Sequence, residues 1–339
     1  MGVKTAKATY IIQNSLGEGG FGSVYEVIQK NTKKKFAMKV EKHQKNKHLL
    51  LQMEVYILNV MEESEKRIWF TKLVDKGCYA NDGYSFIIIE ILGPSLYELK
   101  NRSAPFLFST STGLSVIQQC LFACEQIHHQ GIVHRDIKPG NFACGLNDRK
   151  NIIFMIDFGI ARRIVDGNGK MKEFRTGLAF KGTPKFASLT CHQRNDIGFK
   201  DDIESLLYML CDLISRKGLP WKNEYDEQII MKMKEIAWSD IGSLFNGLEC
   251  CKELSDIFNY IIRLKYSDDL DYLFISKQRI LACKNHGEDI TAPFDWENNI
   301  INGSENNKLS IDIEDGNDQK YLLSDRQELI IIKLLIIKN

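Results

Sequence analysis

The sequence predicts an α+β protein of two lobes, a small β-rich N-terminal lobe with one helix and a larger, mainly α-helical C-terminal lobe. Three observations predict it. Short β-branched and aromatic runs fill the chain from Tyr10 to about Ile91, as strands require. After Gly93-Pro94 the apolar residues take up helical spacing. The segment Asp202 to Ser215 is apolar around most of its circumference, which suits a helix in the middle of a lobe.

Taken in order, the runs at Ser23–Val27, Lys35–Val40 and Tyr84–Ile89 read as strands, interrupted by one helix from about His48 to Met61. Beyond the break, Leu114, Ile117, Leu121, Cys124 and His128 form one helical stripe, and Gly131 is its stop signal. Asn151–Ile156 is a second-lobe strand candidate, and Ile203, Leu206, Leu207, Met209, Leu210, Leu213 and Ile214 line the central helix. A sheet-rich first part is thus followed by a helical second part. From Asn298 the composition turns to Asn, Asp, Glu, Gly and Ser, and 298–339 is expected to be a flexible tail. Its last apolar stretch, Leu329–Ile337, is too short to cross a bilayer.

Lysine and arginine (45) nearly balance aspartate and glutamate (44), for a net charge of +1. This argues against a bulk nucleic-acid binder. No apolar run approaches membrane length, and the first thirty residues hold charges and glycines where a signal peptide needs an apolar core. A cytoplasmic or nuclear protein without a membrane or nucleic-acid partner is expected. Without a long apolar heptad, a monomer is expected as well. The nine cysteines show no paired CxxC spacing and read as buried, reduced thiols.

Chemistry begins at Gly17-Glu18-Gly19-Gly20-Phe21-Gly22, whose glycines let backbone amides approach phosphate oxygens. Strand character continues after Gly22, which favours a hairpin lid over a helix-opening dinucleotide loop. A ligand-free glycine hairpin is the alternative when the motif stands alone. Lys39 follows on a strand, where an ammonium can pair with nucleotide phosphates. Leu50, Glu54, Ile57, Leu58 and Met61 share one helical face, so Glu54 is a carboxylate inside an apolar stripe. Such a charge is costly unless paired. Lys39 is the natural partner, and a bent side chain reaching solvent is the alternative.

The most specific run is His134-Arg135-Asp136-Ile137-Lys138-Pro139-Gly140-Asn141. Asp136 can orient an acceptor hydroxyl and take its proton, Lys138 can neutralise a transferring phosphoryl group, and Asn141 can offer an oxygen to Mg²⁺. His134 suits a structural part. Asp157-Phe158-Gly159 ends the apolar run, and its carboxylate can hold the metal that bridges phosphates.

Together these residues resemble the protein kinase fold from about Tyr10 to Glu297, and within it the casein kinase 1 superfamily, nearest the tau-tubulin kinase-like branch. The marks are Leu92-Gly93-Pro94-Ser95-Leu96, His134 to Phe142, Gly182-Thr183-Pro184-Lys185-Phe186-Ala187-Ser188, Asp201 to Leu206, Pro220-Trp221 and Phe294-Asp295-Trp296-Glu297. The resemblance implies one domain over 10–297, with an N-lobe over about 10–91, a hinge over about 90–94 and a C-lobe over about 95–297. It implies a serine/threonine kinase using ATP and Mg²⁺ on protein substrates; a pseudokinase or scaffold of the same fold is the alternative. It implies nucleotide contacts from Leu16, Gly17, Gly19, Gly22, Val24, Ala37, Lys39 and Glu54. Ile89 takes the gatekeeper position, and Glu90 and Leu92 meet adenine through the hinge backbone. Thr183 is implied to bond Asp136 and Lys138, and Asn141 and Asp157 to hold metal.

The sequence departs from that pattern in places. Lys185 stands where an arginine is common in an anion-binding cluster, and lysine offers a point charge in place of a fork. Acidic or pre-phosphorylated substrates are therefore an open expectation. Gly140 replaces the more usual Asp or Ser, and Ala187-Ser188 stands in place of Ala-Pro-Glu. Arg162, Arg163, Lys170, Lys172, Lys181 and Thr176 lie between Gly159 and Gly182. They read either as an acid-binding or phosphorylation-tuned segment, or as a solvated basic loop.

Overall fold

The structure is a computed structural model that describes residues 2–19, 22–43, 50–64, 67–79, 83–103, 105–289 and 291–297. The expected tail over 298–339, Gly20 and Phe21 of the glycine motif, and His48 at the expected helix start lie outside the described residues.

The first lobe is built on six strands, β1 (Gly2–Lys4), β2 (Thr9–Gly19), β3 (Gly22–Gln29), β4 (Lys35–Lys42), β5 (Leu73–Tyr79) and β6 (Tyr84–Glu90), with helix α1 (Leu50–Glu62) between β4 and β5. All pairings are antiparallel, in the order β1-β2-β3-β4-β6-β5. One face buries Val3, Tyr10, Val27, Met38, Phe86 and Ile88 as a small core. Because side chains alternate along a strand, residues of the opposite parity point the other way, and among them Ile89 packs on the main core of the second lobe. The carboxylate of Glu41 caps α1 by accepting from the amides of Leu50 (3.0 Å) and Leu51 (2.9 Å), a favourable place for negative charge.

Strand β1 lies ahead of residue 10, where the lobe is expected to begin, and pairs with β2. Its three residues are too short to show a period, yet Val3 is buried against the sheet core.

The second lobe holds α2 (Leu96–Arg102), α3 (Thr110–His129), β7 (Ile132–Val133), β8 (Phe142–Cys144), β9 (Ile153–Met155), β10 (Arg162–Arg163), α4 (Leu189–His192), α5 (Phe199–Ile214), α6 (Glu227–Ser239), α7 (Ile241–Leu244), α8 (Cys251–Ile261) and α9 (Tyr272–Asn285). A capping box between Ser95 and Glu98 starts α2. Helix α5 is buried from Lys200 to Ile214 and packs on α3 and α8, so the apolar pattern around most of the helix does mark the lobe's centre. Two short ladders then set the site. β7 pairs with β10 and β8 with β9, which brings the loop 134–141 beside the segment 156–161.

Residues 294–297 close on the start of α3. Asp295 accepts from the Ser109 amide and hydroxyl, both at 2.7 Å, and the Trp296 ring packs on Phe108 in a tilted arrangement. Six of the cysteines are buried; Cys78 is exposed and Cys191 and Cys251 are half-buried, which corrects the reading that all nine are core thiols.

Candidate active site

The sheet places the glycine motif and Lys39 by register. Gly17 lies opposite Val24, Val24 opposite Lys39, and Ala37 opposite Ile89. Directly opposed residues share a face, so Val24, Ala37, Lys39 and Ile89 form one wall that continues into the hinge. Gly19 pairs with Gly22 at the hairpin end. Gly22 has φ +139° and its Cβ would lie 2.1 Å from the Val40 carbonyl, so no side chain fits there; Gly17 has open space around it. Leu16 falls at an irregularity between Ser15 and Gly17 and is 49% exposed. Across the hinge, the Glu90 carboxylate is held by Arg149 (3.1 Å) and the Lys72 amide (3.1 Å). Leu92 is half-buried, and the Gly93 amide donates to the Cys144 carbonyl at 2.8 Å.

Lys39 makes two ion pairs, to Glu54 Oε2 at 2.6 Å and to Asp157 Oδ1 at 2.7 Å. Glu54 is 3% exposed, so the solvent-reaching alternative is excluded. Burial works against the Lys39 charge, but the Glu54 and Asp157 carboxylates outweigh it and raise its pKa. Burial also works against ionised Asp157, and Lys39 outweighs it, holding that carboxyl below its ordinary value. Burial pushes the Glu54 carboxyl up, with Lys39 opposing.

A second network surrounds Asp136. The Thr183 hydroxyl donates to Asp136 Oδ1 at 2.7 Å, the Lys138 ammonium pairs with Oδ2 at 2.7 Å, and Lys138 also donates to the Thr183 hydroxyl at 3.0 Å. The Asn141 amide nitrogen donates to the Asp136 carbonyl (2.8 Å) and to Oδ2 (3.1 Å). Gly182, with φ +122°, lets Thr183 approach; a Cβ there would lie 2.8 Å from the Arg135 carbonyl. Gly140 meets no such limit, since its Cβ would come no nearer than 3.9 Å to Lys138.

The donor set fits a hard cation. With its nitrogen committed to Asp136, Asn141 has its amide oxygen left over, and Asp157 uses Oδ1 for Lys39; neither the Asn141 oxygen nor Asp157 Oδ2 has a hydrogen-bond partner among the described residues. Neutral and anionic oxygens are what Mg²⁺ takes.

His134 is fully buried, accepts from the Asp136 amide through Nδ1 (3.3 Å), donates to the Ile156 carbonyl through Nε2 (3.2 Å), and packs on Phe158. Asp157 (φ +65°) and Arg135 (φ +73°) both adopt the left-handed region. Such residues are strained by about 1–3 kcal/mol each and cluster at working sites.

Sequence reasoning gave Asp202 no role beyond its place in the Asp201–Leu206 motif. Its Oδ2 accepts from the His134 amide (2.7 Å) and His128 Nε2 (2.9 Å), and its Oδ1 from the Arg135 amide (2.9 Å). One buried carboxylate thus sets the left-handed turn before Asp136. The available signal was an acid in the first turn of a helix whose remaining length is largely apolar. Asp196 was missed. It binds Arg162 and receives Arg175 through Nε at 2.8 Å and Nη2 at 3.1 Å. Lys185, expected in an anion cluster, pairs with Asp212 at 2.6 Å, and Asp212 also holds Lys100 at 2.8 Å.

The protein kinase domain family matches residues 10–268. A probable serine/threonine-protein kinase of Dictyostelium discoideum is 30% identical over 296 residues, covering 86% of this chain; the chain spans only 57% of that relative's length. Serine/threonine-protein kinase spe-6 of Caenorhabditis elegans is 30% identical over 294 residues, covering 85% of the chain and 75% of the relative. A probable casein kinase I homolog of Encephalitozoon cuniculi is 30% identical over 273 residues, covering 79% and 82%. A two-lobed fold that carries a lysine shared by two carboxylates and an oriented aspartate thus coincides with a family match over most of its length, and the chain belongs to the protein kinase domain family, among its ATP-dependent serine/threonine kinases.

Proposed function

We propose that this chain transfers the γ-phosphate of Mg-ATP to serine or threonine hydroxyls of proteins, with Asp136 as the catalytic carboxylate. The observation that carries the reading is the setting of Asp136, 5% exposed and oriented by Thr183, Lys138 and Asn141 together. A scaffold that only holds nucleotide uses Lys39 and Asp157 but gains nothing from a carboxylate positioned in this way.

Asp136 orients the acceptor hydroxyl and takes its proton as the hydroxyl oxygen bonds to the γ-phosphorus and the bond to the β–γ bridging oxygen breaks, releasing ADP. Lys138 offsets negative charge on the group in transfer, and Thr183 holds both side chains in place. Lys39, fixed by Glu54, positions the phosphates. Asp157 and Asn141 would hold Mg²⁺, which when bound neutralises phosphate charge. In this reading the chain sits in the casein kinase 1 superfamily, nearest its tau-tubulin kinase-like branch, on the Leu92–Leu96 and Gly182–Ser188 motifs. It acts as a monomer on proteins in the cytoplasm or nucleus. Acidic acceptor sites suit the exposed lysines 170, 172 and 181, whereas Lys185 is already paired.

The test is labelled-phosphate transfer from Mg-ATP to casein and to a tubulin-type substrate, with wild type beside Asp136→Asn. Transfer lost in the variant supports the reading. A folded, ATP-binding wild type that transfers nothing to either substrate leaves a scaffold in its place.

A further inference from the structure

Helix α6 buries Ile230, Lys234 and Ala237 along one stripe, so a lysine occupies the middle of an apolar face. It is 0% exposed. A surface lysine with a lowered stem is therefore excluded, and no carboxylate lies within ion-pair distance of its Nζ among the described residues. Burial draws its pKa down to about 7, with the more distant Glu204 opposing. A buried ammonium without a contact ion pair is costly, and methionine would fill the same space without that cost. Packing alone does not account for Lys234.

Its contacts do. Nζ donates to the Pro184 carbonyl at 2.9 Å and to the Ala187 carbonyl, and lies 3.2 Å from His192 Nε2. The ammonium rests 4.9 Å from the centre of the Tyr208 ring and 5.1 Å from that of Trp221, close enough for cation–π attraction. Trp221 in turn donates its indole N–H to the Lys185 carbonyl at 2.8 Å. The Thr183 carbonyl accepts from the Phe186 and Ala187 amides, each at 2.9 Å. Carbonyls 183, 184, 185 and 187 are thus all engaged, and two of the donors are side chains from beyond α5.

This short turn begins at the residue whose hydroxyl bonds Asp136. Residues 184–187 follow directly on Thr183, whose hydroxyl is 2.7 Å from Asp136, so their shape bears on the space beside the carboxylate to which an acceptor hydroxyl must come. We propose that Lys234, seconded by Trp221, is a positioning residue for the protein substrate: it holds the Pro184–Ala187 backbone in the form that seats the chain next to the acceptor hydroxyl. This rests on the kinase reading above. It also explains how a segment ending in Ala187-Ser188 is anchored without a glutamate at that point, since carbonyls bound by a buried cation do the anchoring.

The experiment compares wild type, Lys234→Met and Trp221→Phe in the full chain, measuring KM for a peptide substrate, KM for ATP and kcat. The expected result is a rise in peptide KM of ~10-fold for Lys234→Met, on the scale that displaced positioning groups produce, and of roughly threefold for Trp221→Phe, which loses one hydrogen bond. KM for ATP stays level in both, a split that general loosening of the fold would not produce. Should Lys234→Met fail to fold, Trp221→Phe carries the test alone, with amide exchange at 183–188 as a second readout that should quicken. Unchanged peptide KM and exchange in folded variants of an active wild type overturn the proposal and leave the kinase reading intact. A wild type without phosphotransfer to any substrate overturns both.

Discussion

The Lys39 ammonium lies 2.7 Å from Asp157 and 2.6 Å from Glu54, so one cation joins the strand lobe, its helix and the start of the second lobe's activation segment. Lys39→Met leaves Glu54 buried without a partner. Removing one member of a buried pair costs about 3–5 kcal/mol. Lys39→Met should therefore lower both the melting temperature and kcat/KM, the latter by ~10²-fold or more as a charge donor to the phosphates is lost. Adding Glu54→Gln should restore much of the melting temperature and none of the turnover. Recovery of activity in the double variant would show that Lys39 serves the fold alone.

Asp136→Asn keeps the size of the side chain and removes its basicity. Lys39 and Asp157 are untouched, so nucleotide affinity measured by titration should stay near wild type. Turnover should fall by ~10³-fold, within the range expected for a lost general base. A companion pair separates orientation from chemistry. Thr183→Ser retains the hydroxyl between Asp136 and Lys138 and should stay active, whereas Thr183→Ala should lose roughly tenfold in kcat, the value of one charge-assisted hydrogen bond. Equal rates for Ser and Ala would remove Thr183 from the network.

Asp202 gives the site an acid limit. Burial works to raise its carboxyl, but the His128 hydrogen bond and the Arg135 amide hold it below its ordinary value. A carboxyl lowered in the folded state contributes stability fully above its unfolded pKa of about 3.9, and that contribution is lost as pH falls through the lower folded value. Asp202→Asn should cost about 3 kcal/mol at neutral pH, where a buried, charged hydrogen-bond acceptor is removed. Urea unfolding of both proteins at pH 7 and at pH 3 should show the gap narrowing in acid. A gap that stays constant would mean the carboxylate's charge is not what holds the loop.

Much of this site was legible because its residues break local patterns. Glu54 interrupts an apolar stripe, and Asp136, Asn141 and Asp157 stand at set spacings around short strands. The large helices were legible for the same physical reason, a stripe of period 3.6 on α3 and apolar residues around most of α5. What stayed hidden depends on contacts with no local trace. Lys234 answers backbone carbonyls about fifty positions earlier, and a carbonyl looks the same in every residue. Asp202 shows as an acid in the first turn of α5, but that it bonds two amides of the loop before Asp136 follows only from packing α5 beneath that loop. β1 is too short to show alternation, and its pairing is fixed by β2.

Asp196 bears on the two readings of the basic segment, which experiment can separate. Arg162 and Arg175 already share its two oxygens, and the Arg175 amide also donates to it at 3.2 Å. Arg175 stands directly before the exposed Thr176, so a carboxylate of the chain itself already binds the arginine next to that hydroxyl. Asp196→Asn should weaken both arginine contacts, loosen the segment, and raise peptide KM by several-fold, as expected when charge-assisted hydrogen bonds are lost. Thr176→Ala should leave steady-state rates unchanged, since the segment is pinned without it. The two variants are read side by side with protein freed of phosphate by phosphatase. A loss of activity on phosphatase treatment that Thr176→Ala reproduces, with Asp196→Asn silent, would reverse the assignment and make phosphorylation the anchor.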